Sequence, residues 1–148
     1  MKIRRISAVL LSAALFLPAL GHAEDAPKTE IKGAAILDHP CGKVAVKHMG
    51  LTHAGKVDEA TKLGTKEMQD QWKAMPADDR KMMSGMMKEM SKTEAQFSAE
   101  IKAGGVLVIE GKNGTLTVKQ EHKDANGTST DTLTQRYVID GGKCWITR

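Results

Sequence analysis

The chain is poor in aromatic residues, with two Trp, one Tyr and two Phe among 148 residues. Proteins that hold single-stranded nucleic acid need aromatic platforms on which bases stack, so the scarcity argues against that partner. Cysteine is scarce too. Cys41 and Cys144 stand 103 residues apart with no Cys-x-x-Cys pair, and no HExxH or nucleophile-elbow pattern is present either. Neither sign of charge dominates, with 22 Lys and Arg against 18 Asp and Glu and a formal net charge of +4. No apolar run reaches the length of a membrane-spanning helix. Hydrophobic and charged fractions of 41% and 27% are ordinary for a folded domain and exclude collagen, coiled coil and wholesale disorder.

What is present begins with an export-like N-terminus. Lys2, Arg4 and Arg5 precede the apolar stretch from Ile6 to Leu17, Pro18 breaks it, and Gly21-His22-Ala23 offers small residues for cleavage. Residues 1–23 therefore read as a signal peptide, and the compartment as periplasm or secreted medium. Without them, 19 basic side chains face 18 acidic ones. The charges also alternate in sign along the chain, as in Asp78-Asp79-Arg80-Lys81. Phosphate neutralisation needs clustered cations, so nucleic acid is excluded again. Export places Cys41 and Cys144 in an oxidising compartment, where the one available pairing is expected as a disulfide. The mature chain has no membrane span.

Residues 24–33 are polar and read as a flexible leader, followed by a single domain over 34–148. Leu37, Cys41, Val44, Ala45 and His48 recur at helical spacing, with Pro40 in the first turn and His39 as its cap. A short helix follows over 57–63. A third runs over 65–75 with Met68, Trp72 and Met75 on one side, and a fourth over 77–90 after Pro76. Ser91-Lys92-Thr93-Glu94 matches a capping box for a helix ending near Lys102. Gly104-Gly105 marks a change of period. Strands are expected over 106–110, 115–122, 130–139 and 143–147, with turns at Asn113-Gly114, Asn126-Gly127 and Asp140-Gly141-Gly142. The two Asn-Gly-Thr stretches also match the glycosylation pattern, which turn chemistry explains. The pattern predicts an α+β fold, with N-terminal helices packed on a curved C-terminal antiparallel four-strand meander.

The stretch AVKHMGLTHAGKVDEATKL, the segment GGVLVIEGKNGTLTV and the ending RYVIDGGKCWITR together resemble small exported members of the nuclear transport factor 2-like and ketosteroid-isomerase-like superfamily. The resemblance implies a cone-shaped sheet around a helix-lined pocket and, in many members, a homodimer. Catalytic members place an Asp or His base and a Tyr in the pocket. Tyr137, the one Tyr, is the candidate here, but no carboxylate can be placed opposite it. Fold alone does not assign function.

Two motifs bear on chemistry. Gly50-Leu-Thr-His-Ala-Gly55-Lys56 matches part of a phosphate-binding loop, but Val57 stands where the magnesium-binding hydroxyl belongs and a helix precedes it. Met82, Met83, Met86, Met87 and Met90 fall within an arc of roughly 140° on one helix. Thioether sulfur is soft and suits Cu(I), with His48 or His53 as a nitrogen donor, yet methionine also fills irregular apolar space. His48 and His53 are five apart and do not form an i, i+4 metal pair. His122 is placed near a strand end, facing solvent.

The first reading is thus a non-catalytic exported domain without cofactor that binds a small apolar ligand or an envelope protein. Its pocket is expected to be lined by Met82, Met86, Met90, Leu133 and Tyr137. The second is a periplasmic copper protein using Met83, Met86, Met87, Met90 and His48. The third is a lyase or isomerase acting through Tyr137.

Overall fold

Short alternating segments separated by glycine turns form the C-terminal part of the sheet, and they do so within three residues of the expected limits. In the computed structural model, which describes residues 26–124 and 127–148, these are β2 (Val106–Glu110), β3 (Asn113–Asp124), β4 (Gly127–Asp140) and β5 (Lys143–Thr147). The expected signal peptide and Asn126 lie outside the described residues.

The four-strand meander is corrected to a five-strand open antiparallel sheet in the order β1-β2-β3-β4-β5. The extra strand is β1 (Lys28–Lys32), and it lies within the segment expected as a flexible leader. Helices therefore occupy the middle of the chain, between β1 and β2, rather than preceding every strand. KTEIK carries one apolar residue, Ile31, and is otherwise exposed, so no hydrophobic period announces it. Main-chain pairing with β2 holds it at the sheet edge, where Lys28 sits opposite Glu110 with an ion pair of 3.1 Å.

Six helices follow β1: α1 (Ala35–Asp38), α2 (Pro40–His53), α3 (Val57–Thr61), α4 (Lys66–Ala74), α5 (Ala77–Met90) and α6 (Glu94–Gly104). His39 breaks α1 from α2 in an extended conformation, and its Nδ1 accepts from the Cys41 amide at 3.2 Å, as its place before Pro40 suggested. Gly42 lies where α1 folds back, because a Cβ there would stand 1.8 Å from the Ile36 carbonyl oxygen. The cap of α6 is Thr93 rather than Ser91, with Gln96 completing the capping box. The Ser91 hydroxyl instead donates back to the Met87 carbonyl and finishes α5.

The first strand turn is likewise shifted. Glu110 pairs with Asn113, so Gly111-Lys112 makes the turn and Asn113-Gly114 opens β3. Gly111 has φ of 58°, a conformation that costs a side chain dearly and glycine little. Register places Leu107, Leu116, Val118, Tyr137 and Ile146 on one sheet face, and all are buried. Phe97 and Ile101 of α6, Ile36 of α1 and Ala45 of α2 close the core over them. Each large apolar side chain so buried stabilises by about 1.5–3 kcal/mol. Cys41 on α2 and Cys144 on β5 lie at disulfide-bonding distance, with Cα atoms 5.0 Å apart. Among the described residues no helix is long and apolar enough to cross a membrane.

Candidate binding site

The helices α4 and α5 bury no residue, in contrast to α2 and α6. Their sequences explain this. Both are rich in charged and polar residues, and their large apolar residues are mostly Met, which can cover a surface without demanding a fixed packing partner. The two helices meet at Met75-Pro76, the C-cap of one and the N-cap of the other. They lie as an outer layer over α2, α3 and the end of β5.

Hydrogen bonds anchor this layer at its ends. The Thr65 amide donates to the Ile146 carbonyl at 2.9 Å, and the Ile146 amide donates to Leu63 at 3.0 Å. Thr65 caps α4 and so orients Met68 one turn later. Trp72 Nε1 donates to the Asp58 carboxylate at 2.6 Å, tying α4 to α3. The other end is held where His53 Nδ1 lies 3.1 Å from the Ser91 carbonyl, joining the ends of α2 and α5.

Between the layers lies an open cleft of about 190 Å³. Its walls include His48 from α2, Met68 and Trp72 from α4, Met75 at the junction, Met83 and Met87 from α5, and Ile146 from β5. Ala60, Thr61, Gly64, Gln71 and Arg148 complete it. No Asp or Glu side chain is among these residues. His48 is half-buried, and burial lowers its pKa from the ordinary imidazole value, so the ring is held neutral. Among the described residues its side chain has no hydrogen-bond partner.

The methionine arc of α5 therefore divides. Met83 and Met87 turn toward the cleft. Met82, Met86 and Met90, expected in a pocket lining, are 61%, 52% and 80% exposed and are not among the residues that line this cleft, while Met83 lines it and is itself 38% exposed. The expected copper set is split in the same way: His48, Met83 and Met87 come together, and Met86 and Met90 do not join them. Met68 and Met75 take part instead. Their common side on the third helix was visible in the sequence, but nothing in one helix's period says which neighbour it will face.

Tyr137 and Leu133 are not part of the cleft. Tyr137 is fully buried in the core, its hydroxyl donates to Gln135 Oε1 at 2.9 Å, and burial pushes the phenol well above its ordinary pKa. It is a satisfied core residue with no acid or base beside it. Leu133 packs half-buried against the same core. His39, Cys41 and Cys144 are the one close grouping of His, Cys or carboxylate donors among the described residues. Both sulfurs are engaged with each other and the His39 nitrogen caps α2, so that grouping offers no ligand set. The phosphate-loop-like stretch is no loop at its start, for Gly50 lies within α2 and packs directly against Glu94.

No protein-family model matches the chain, and no curated protein or solved structure matches it. The chemistry of the cleft must be read from its own residues. Thioether walls, one neutral imidazole and a small volume suit binding. Nothing in the cleft pairs a general base with a general acid, or a nucleophile with either.

Proposed function

We propose that the protein is an exported, non-catalytic binding module that holds a small ligand in the methionine-lined cleft between α2, α4, α5 and β5. The observation that carries this reading is that Met68, Met75, Met83 and Met87 line, together with His48, one cleft of about 190 Å³. Pockets for drug-sized molecules run from roughly 300 Å³ upward, so the cleft by itself suits a small occupant, although His48, Met68 and Met87 also border an open groove of about 450 Å³ beside Gln135 and Arg136. Thioethers adapt to the shape of an apolar guest, and His48 gives the cleft one polar point for orientation. The export signal read in residues 1–23 and the Cys41–Cys144 pair support action outside the cytoplasm.

Trp72 in the cleft wall provides the test. A Trp145→Phe chain leaves Trp72 as its single indole. Titration with hexanol or cyclohexanol is expected to change its emission saturably. Met83→Arg with Met87→Arg should remove that response while the melting temperature is largely kept, since neither residue is fully buried. Mature protein from periplasm should begin at Glu24. A Trp72 signal indifferent to every small probe, with no retained adduct in native mass spectra, would reject the reading.

A further inference from the structure

We propose that the cleft is a Cu(I) site, in which His48 supplies one imidazole nitrogen and Met68, Met83 and Met87 supply thioether sulfurs. This rests on the cleft being the binding site and names what it binds. The four donors come from three elements, α2, α4 and α5, and line one cleft. Soft thioethers favour Cu(I) over hard ions, and imidazole accepts it as well. Calcium, magnesium and manganese favour sets of oxygen donors rich in carboxylates, and no Asp or Glu side chain lines the walls. Structural zinc takes four ligands, typically thiolates and imidazoles, and here there is a single His with no free thiol.

His48 is prepared for such a role. Its ring is half-buried, opens into the cleft and has no hydrogen-bond partner among the described residues. One imidazole and four thioethers thus line the same cleft, which gathers a soft donor set in one place. Met75, at the hinge between α4 and α5, is the fourth sulfur on the wall. Arg148 at the rim is exposed, so water and salt screen its charge from a bound cation. The outer layer of the site buries no residue of its own, which leaves a bound ion to tie α4 and α5 to α2.

The experiment is an anaerobic titration of the mature, disulfide-intact protein with Cu(I) supplied as its bicinchoninate complex. The expected result is withdrawal of a single equivalent of copper and a raised melting temperature. X-ray absorption should then show both sulfur and nitrogen in the ligand shell. His48→Ala, and separately Met68→Leu with Met87→Leu, should each weaken binding about tenfold or more. Leu replaces Met at nearly equal volume, so the apo fold is kept and its melting temperature serves as the control. Met82→Leu with Met86→Leu and Met90→Leu should change nothing. Failure to withdraw copper overturns the proposal, as does binding that survives His48→Ala but is lost with the outer three methionines. If Cu(I) does not bind while the alcohol probes still move Trp72 emission, the copper assignment falls and the binding module stands. If neither has an effect, both fall.

Discussion

At the scale of single residues, two histidines show how position rather than type sets their chemistry. His39 is an N-cap whose ring nitrogen must be unprotonated to accept from Cys41. Burial also lowers its pKa from the ordinary value of 6.5. A lowered imidazole pKa means the unfolded chain binds the proton more readily, so stability is intact above the unfolded pKa and is lost as pH falls through the folded one. His48 is lowered by burial in the same sense. Urea denaturation is therefore expected to show stability dropping as pH falls below about 6.5. His39→Asn keeps a capping oxygen but cannot titrate, so it should reduce the slope without much loss at neutral pH. An unchanged slope in that variant would show the cap to be indifferent to protonation.

At the scale of elements, the contrast lies between helices that close the core and helices that cover it. α6 sets Phe97 and Ile101 into the sheet, whereas α4 and α5 bury nothing. Regions with few buried apolar contacts open at low free-energy cost. Amides of α4 and α5 are thus expected to exchange hydrogen well before those of α2 and α6, as one unit bounded by Thr65 and Ser91. Equal protection across all four helices would contradict this. How far the elements were legible follows the same division. Helices bounded by Pro or Gly were readable to within about two residues, and α5 to the residue at both ends. The edge strand β1 was not, because a KTEIK segment acquires its conformation from the hydrogen bonds that β2 offers, not from its own pattern. The Gly111-Lys112 turn was misplaced because Asn-Gly is the stronger local turn signal. The pairing of Glu110 with Asn113 decided otherwise.

For the whole molecule, the link between Cys41 and Cys144 ties the first long helix to the last strand across 103 residues of chain. Closing so long a loop restricts the unfolded ensemble strongly, by up to ~4–5 kcal/mol in the chain-entropy model. Replacing both cysteines by Ala is expected to cost about 2–5 kcal/mol in urea unfolding at neutral pH. The same pair also keeps α2 seated on the sheet, and α2 carries His48. The double variant should therefore weaken cleft binding as well as stability. A variant with lowered stability and undiminished binding would separate the two roles.

The sequence by itself determined the near balance of charge, the mixed α+β content and the single available cysteine pairing. Each is a property of composition or of spacing along one element. Only the tertiary structure decided which methionines share a cleft. Five sulfurs lie on one arc of α5, but a few tens of degrees of rotation separate Met83 and Met87, which line the cleft with His48, from Met82, Met86 and Met90, which do not. That rotation is set by how α5 rests on α2 and α3. Helical period fixes the width of a face, while packing chooses what the face looks upon.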